Sequence, residues 1–216
     1  MSSIFRIDNP FNRFMSKVFD VMALSLVFCV CCIPIVTIGP ALTALYYSTV
    51  KSIRKDRSYP VKEFFHAFKR DFKQSFICGL IFIGIGLVLY FDIKYAASTS
   101  DTTIRNFRIF YLVILIILAF IGTYVFPLIS RFTLKTGQLF KLAFYLSVRH
   151  LPSTLGCVAI IAASAILVYI TMGFVLFILP ASATLLMSFL MERVLKQTLE
   201  RIGTGEDDNP DKWYEE

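Results

Sequence analysis

The chain alternates between long apolar runs and short segments rich in Lys, Arg and aromatic residues. Four stretches contain no Asp, Glu, Lys, Arg or His: residues 21–50, 74–91, 109–130 and 151–191. A helix needs about 20 apolar residues to cross the hydrocarbon core of a bilayer. The last stretch is too long for one crossing, and Gly173 and Pro180 predict that it divides into two helices. The pattern therefore predicts an all-α, polytopic membrane bundle of about six helices.

A proline-broken segment interrupts the first apolar stretch. Pro34, Gly39 and Pro40 separate two short arms, residues 18–33 and 41–54. Proline removes a backbone donor and clashes with the preceding helical turn, so one straight helix through both prolines is not expected. We expect Gly39, which precedes a proline, to need a backbone conformation that a β-branched residue adopts only at a cost. Two arrangements stay open: a hairpin that crosses the bilayer twice, and a re-entrant element.

Side chains near the break are candidates for supporting it or for contacting a partner. The hydroxyls of Thr37 and Thr43 are placed to bond the backbone groups that the prolines leave without helical partners. Tyr46 follows on the second arm. Together with Pro34, Gly39 and Pro40, these residues form the first group of structural or partner-binding candidates.

Amphipathic segments border the apolar runs. Residues 1–17 are predicted to form an interfacial helix, and Tyr59-Pro60 to open another within the basic segment 51–73. Apolar residues recur there at helical spacing on one face, and this face supplies the second group of candidates: Phe65, Phe68 and Phe72. A further basic segment covers residues 131–150. The predicted membrane domain spans residues 18–202, and an acidic, flexible tail covers 203–216.

The charge distribution predicts an orientation. If the first hairpin crosses twice, one side of the membrane receives 19 of the 22 Lys and Arg residues. Cytoplasmic segments of membrane proteins carry the excess of Lys and Arg, so both termini are predicted to be cytoplasmic. A re-entrant hairpin would leave this count unchanged. The same rule accounts for the net charge of +7, and no nucleic-acid partner is needed to explain it.

No catalytic or metal-binding motif is present. The chain lacks a phosphate-binding Gly-x-x-x-x-Gly-Lys-Ser/Thr loop and a His-Glu-x-x-His helix. Its five cysteines all lie in apolar stretches without the paired spacing of a zinc site. Both histidines, His66 and His150, lie in basic segments, far in sequence from an acid or nucleophile that would pair with them. We therefore expect a non-enzymatic protein without a cofactor or bound metal.

The proline-broken segment also resembles a known family. The residues that carry the resemblance are Ile33-Pro34-x-Val36-Thr37-x-Gly39-Pro40-Ala41-x-Thr43-Ala44-Leu45-Tyr46, with Asn9, Phe14 and Asp20 before them and Phe64-Phe65-x-x-Phe68-x-x-x-Phe72-x-Gln74-Ser75 after them. This pattern is similar to the YesL-like family of small bacterial membrane proteins, a domain of unknown function. The resemblance covers roughly residues 5–200. It implies a bacterial plasma-membrane location and an association with the uptake of complex carbohydrates.

One function and two alternatives follow as expectations. The first is an accessory subunit that packs against another membrane protein, for which the resemblance implies the permease of an oligosaccharide ABC importer. The alternative is a small autonomous transporter or channel for a neutral solute, and a membrane partner of a sensory kinase is a further one. Membrane lipids are expected partners in each case. The accessory function is favoured, because the apolar runs offer only scattered Ser, Thr and Tyr side chains to a polar solute.

Overall fold

A computed structural model describes residues 10–54, 59–98, 102–132, 135–171 and 173–202. Within these ranges the chain forms eight α-helices and no strands, which confirms the all-α prediction. The helices are α1 (Pro10–Cys31), α2 (Ile38–Ser48), α3 (Pro60–Arg70), α4 (Phe72–Ser98), α5 (Thr102–Arg131), α6 (Thr136–Arg149), α7 (Leu151–Ile170) and α8 (Leu179–Ile202). The predicted tail at 203–216 lies outside the described residues.

The first helix ends where the prolines begin. α1 runs from Pro10 to Cys31 without an interruption at residue 17, so the expected interfacial segment and the first apolar arm share one helix from Pro10 onward. Proline suits the start of a helix because its missing N–H has no helical partner there. A short 3-10 turn, Ile35–Thr37, then connects α1 to α2. The break predicted from the prolines is confirmed.

α2 lies at the centre of the fold. Of its 11 residues, all but Ile38 and Leu42 are buried, and the helix contributes side chains to both apolar cores. Pro40 is its third residue, where proline is tolerated because the N–H groups of the first turn have no helical acceptors. An 11-residue helix is about 16 Å long, too short to cross a bilayer alone. A π-helical segment, Thr49–Arg54, continues it.

α3 packs on α2 rather than facing only outward. It begins at Pro60, as predicted, and ends at Arg70, after which α4 starts at Phe72. Phe64 and Ala67 are fully buried in the core that contains α1 and α2, whereas Phe65 is 46% exposed. The predicted apolar face is therefore divided: one stripe contacts the protein, and the stripe beside it is exposed.

Three helices in the described part of the chain are long and apolar enough to cross a membrane: α4 over Phe72–Ala97, α5 over Ile109–Arg131 and α7 over Leu151–Ile170. α4 and α5 contain the predicted apolar stretches 74–91 and 109–130, and α7 contains the first half of 151–191, whereas the stretch 21–50 is divided between α1, α2 and the segments beside α2. The predicted break between α7 and α8 is also present. Gly173 adopts a left-handed conformation with φ of 87°, and a 3-10 turn, Phe174–Phe177, leads into α8.

Candidate functional site

Two glycines bring α2 and α4 into backbone contact. A methyl group on Gly39 would lie 3.0 Å from Cα of Gly79 and would collide with the carbonyl oxygen of Ser75. Gly173 is the only glycine with a positive φ among the residues that the structure describes. The expectation that Gly39 needs an unusual backbone conformation is therefore wrong. Glycine is required at position 39 because no side chain fits between α2 and α4 there.

Hydroxyl groups satisfy the backbone around the proline break. Thr37 donates from Oγ1 to the carbonyl oxygens of Cys31 and Pro34, each at 2.6 Å. Thr43 bonds the carbonyl oxygen of Gly39 at 3.3 Å and accepts a hydrogen bond of 2.9 Å from Ser75 of α4. These contacts replace helical hydrogen bonds near the break and connect α2 to α4.

A buried ion pair joins the end of α5 to the middle of α8. Nη2 of Arg131 lies 2.8 Å from the carboxylate of Glu192, and the two side chains are 1% and 3% exposed. Tyr46 of α2 is buried beside them, and its hydroxyl lies 3.4 Å from Oε1 of Glu192. Two buried charges are expensive unless they are paired and hydrogen-bonded. Three helices therefore meet at one charged contact.

A second charged group lies under α3. Nζ of Lys51, on the π-helical segment, is 3.2 Å from both Oε2 of Glu63 and the hydroxyl of Tyr47. Burial alone would lower the pKa of Lys51, but the hydrogen bonds to Tyr47 and Glu63 raise it above its ordinary value. The guanidinium of Arg70 lies over the Tyr47 ring, 4.7 Å from the ring centre. The pair connects α3 to the chain beyond α2.

An apolar cleft of about 460 Å³ lies beside the ion pair of α5 and α8. Residues from α1, α2, α5, α7 and α8 line it, including Phe28, Leu45, Phe126, Ile161 and Met187. The ring of Tyr46 forms part of the lining, so this residue contacts the cleft and the ion pair at once. The size falls within the range of small-molecule and lipid sites in proteins.

The Ser and Thr hydroxyls that line this cleft bond to their own helices. Thr123 donates to the carbonyl of Phe120 at 2.7 Å, and Thr184 donates to that of Pro180 at 2.7 Å. Ser164 donates likewise to the carbonyl of Ile161. The cleft therefore presents an apolar lining and few polar groups for a hydrophilic solute.

The structure brings together one of the two groups of sequence candidates. Gly39, Thr43 and Tyr46 follow one another on the buried face of α2, where they contact α4 and α8. Pro40 is buried beside them, whereas Pro34 is exposed in the turn before α2 and Thr37 is half-buried.

The aromatic candidates lie elsewhere. Phe68 and Phe72 belong to a series of aromatic contacts that runs along α3 into α4, and their rings meet edge to face with centres 5.4 Å apart. Phe68 is half-buried, whereas Phe65 and Phe72 are exposed. These side chains form part of the outer surface of the protein.

The sequence reasoning missed the buried charges. Arg131 and Glu192 each follow immediately after a charge-free stretch, and Lys51 follows another. The sequence assigns Lys51 and Arg131 only to basic cytoplasmic segments and gives no role to Glu192, yet the structure buries all three side chains. A sequence signal was available, because the 90 residues from Thr102 to Met191 contain no acid and Glu192 is the first acid after them. Nothing in the sequence paired it with Arg131.

The cysteines contribute packing contacts. Cys78 and Cys157 are buried in the core, and Sγ of Cys29 lies 3.7 Å from the carbonyl oxygen of Leu176. Among the residues that the structure describes, no group of three or more His, Cys, Asp or Glu side chains is arranged to hold a metal ion.

Comparison with known proteins finds one matching family and two similar proteins. The model of a protein family of unknown function, DUF624, matches residues 21–93, which contain the second half of α1, all of α2 and α3, and most of α4. YesL, an uncharacterized protein of Bacillus subtilis (strain 168), is 25% identical over 205 residues, covering 93% of this chain and 97% of YesL. YteU of the same organism, also uncharacterized, is 27% identical over 166 residues, 76% of this chain and 72% of YteU.

No solved structure matches the chain significantly. The family match includes the crossing of Gly39 and Gly79 and the Lys51–Glu63 pair. The alignment with YesL extends the similarity over nearly the whole of both chains. The resemblance inferred from the proline-broken segment is therefore confirmed, and the chain is similar to the YesL-like proteins, a family of unknown function.

Proposed function

We propose that this chain is a non-enzymatic accessory subunit of the bacterial plasma membrane that binds the permease of an oligosaccharide ABC importer. Its termini would lie in the cytoplasm. The carbohydrate context rests on the resemblance to the YesL-like family. The mode of association rests on the exposed faces of the helices, which is the observation that carries the proposal.

Two helices with the length and composition of membrane spans contact the rest of the protein over little of their surface. Within the most apolar 18-residue segment of each helix, only 17% of α4 and 11% of α7 is buried against the rest of the protein. Lipid covers such faces in an isolated chain. The same faces are available to a partner helix, because packing between membrane helices needs no hydrophobic driving force.

The exposed face of α4 contains a residue suited to a partner's close approach. Gly84 has open space where a side chain would project. Leu80, Leu87 and Val88 share its side of the helix, and each is more than half exposed. Small residues at membrane helix interfaces let two backbones approach closely. Gly79, on the buried side, shows the same principle within this chain, since it contacts α2.

The cleft beside Tyr46 supports the accessory function over the alternative of autonomous transport. A sugar path needs several convergent hydrogen-bonding groups. The hydroxyls of this cleft already donate within the protein, and most of its lining is apolar. The cleft is a better match for an apolar side chain or an acyl chain than for a carbohydrate.

Co-purification from the native host tests the proposal. Wild-type protein extracted in mild detergent is expected to bring down an ABC importer permease. Gly84→Leu should remove the permease while leaving the thermal stability of the chain unchanged, because its side chain projects into open space. Gly137→Leu is the matched control: Gly137 also has open space around it but lies on α6. Permease recovery equal in both variants would contradict a role for the α4 face.

Reconstitution separates the accessory function from its alternatives. The isolated wild-type chain in liposomes should move no oligosaccharide, and addition of the importer should produce uptake that depends on the chain. Solute flux through the chain alone would establish the transporter instead. Recovery of a sensory kinase in place of a permease would favour the regulatory alternative.

A further inference from the structure

A second groove, between α1 and α8, differs from the cleft in having cations at one end. It has a volume of about 620 Å³. Its apolar lining includes Val18 and Val21 of α1, Leu185 of α8, Ile178 immediately before α8, and Ile53 of the π-helical segment. Lys17 and Arg54 complete the lining. We propose that this groove binds one phospholipid with an anionic headgroup, its acyl chain along the groove and its phosphate between Lys17 and Arg54.

The two helices run antiparallel along the groove. The backbone N–H of Ala181 donates to Oγ of Ser25 at 3.2 Å, and Cys29 contacts Leu176 further along. Earlier residues of α1 therefore lie beside later residues of α8. By this order Lys17 lies at the same end as Phe189, and Ile178 marks the opposite end.

The length of the groove suits one acyl chain. The lining extends from Ile178, immediately before α8, to Phe189, and Phe189 lies 10 residues after the first residue of α8, which corresponds to about 15 Å along the helix. One leaflet contributes about half of the roughly 30 Å hydrocarbon thickness of a bilayer. An acyl chain that lay in the groove would therefore extend from headgroup level towards the middle of the membrane.

Arg54 is held in place at the cationic end. Its Nη1 donates to the carbonyl oxygen of Ser188 at 2.9 Å, and its guanidinium lies 4.7 Å from the centre of the Phe189 ring. A planar guanidinium held in this way keeps further N–H groups for a phosphate. The π-helical segment buries its neighbours Ser52 and Ile53 and places Arg54 at the groove.

The charges at this end favour an anion over a neutral or zwitterionic molecule. Among the residues that the structure describes, the groove lining contains two cations and no carboxylate. Basic pockets between membrane helices bind anionic headgroups on the cytoplasmic side. Both Lys17 and Arg54 belong to the segments that the charge distribution assigns to that side. This inference depends on membrane insertion but not on the importer, so it stands if the proposed function fails.

Native mass spectrometry of the full chain from nanodiscs tests the proposal. In discs of mixed phosphatidylglycerol and phosphatidylcholine, the wild type should retain one phosphatidylglycerol molecule per chain. Lys17→Gln and Arg54→Gln should each weaken retention about fivefold, as expected for one lost charge near a membrane surface, and the double variant should retain none. Lys141→Gln, an exposed change on α6 outside the groove, should retain the lipid fully.

A further variant tests the apolar part of the groove without touching the cations. Ser182 lines the groove and donates to the carbonyl of Leu179. Ser182→Phe should fill the space and displace the acyl chain while thermal unfolding shows a folded protein. Inorganic phosphate and a short-chain fatty acid, added as competitors, should each displace the lipid poorly, because each supplies only one of its two features.

Three outcomes would overturn the proposal. The first is equal retention of phosphatidylglycerol by the double variant and the Lys141→Gln control. The second is equal retention of phosphatidylcholine by the wild type, which would leave an apolar groove without charge selection. The third is displacement by phosphate alone, which would indicate a soluble anion as the ligand.

Discussion

Gly39 of α2 lies directly against Gly79 of α4, so that a methyl group on either glycine would lie 3.0 Å from Cα of the other. On Gly39 the methyl group would also collide with the carbonyl oxygen of Ser75. Neither obstacle is a flexible side chain, so the backbones would have to separate. The hydrogen bond between Ser75 and Thr43 lies in the same interface and depends on the same separation.

Gly39→Ala is therefore expected to destabilise the protein by about 1–3 kcal/mol, the range for overpacking a close contact. Thermal unfolding in detergent measures the loss. Gly84→Ala is the matched control, because it makes the same change on α4 where open space is available. It should leave stability unchanged or slightly raised, since alanine favours a helix more than glycine does. Equal effects at the two positions would contradict the steric explanation.

Arg131→Met should cost about 3–5 kcal/mol, because it leaves the buried carboxylate of Glu192 without its partner. Chemical denaturation of the variant in detergent checks this value. The double variant Arg131→Met, Glu192→Leu should recover much of the loss, since an apolar pair of similar volume often replaces a buried ion pair at little cost. A double variant as unstable as Arg131→Met alone would show that the cost arises from packing.

Thr43→Val should destabilise the protein by about 1 kcal/mol by removing the acceptor of the buried Ser75 hydroxyl. Ser75→Ala in the Thr43→Val background should add little further loss, because the two side chains form one interaction. A double-mutant cycle of unfolding free energies measures this coupling. Additive losses would indicate that the two hydroxyls act independently.

Lys51 provides a test by pH. Its pKa is raised in the folded protein, so its interactions with Tyr47 and Glu63 contribute stability that is fully present below the unfolded value, 10.5. That contribution is lost as pH rises through the higher folded value. The difference in unfolding free energy between wild type and Lys51→Gln should therefore stay constant from pH 7 to about 9. It should shrink above about pH 10.5, and a difference that grew there would contradict the ion pair.

The orientation is tested by labelling single cysteines in a background without the natural five. Because 19 of the 22 Lys and Arg residues are predicted on one side, Lys69→Cys and Lys135→Cys should react only from the cytoplasm. Ser100→Cys, between α4 and α5 in the sequence, should react from outside. Labelling of Ser100→Cys only from the cytoplasm would reverse the predicted topology.

Helix positions followed well from the sequence, because they depend on local properties. Pro34 and Pro40 predicted the break after α1, and Gly173 and Pro180 predicted the break before α8. Proline interrupts a helix and glycine permits the left-handed conformation that often ends one, so these breaks can be inferred from the sequence alone. The start of α3 at Pro60 followed for the same reason.

Contacts between distant helices did not follow. The pairing of Arg131 with Glu192 joins residues 61 positions apart, and the contact of Gly39 with Gly79 depends on how α2 crosses α4. Phe64 and Phe65 are neighbours of the same type, yet one is buried and the other exposed, because α2 covers only one side of α3. Composition and periodicity do not contain such crossing geometry.

Pro127 lies four residues before Arg131, and it lines the apolar cleft. Proline has no N–H to donate to the carbonyl four residues earlier, so α5 resists bending less at this point than elsewhere along its length. The end of α5 beyond Pro127 is fixed to α8 and α2 through Arg131, Glu192 and Tyr46. Pro127 is therefore the point on α5 at which a bend would alter the width of the cleft and leave the charged contact in place.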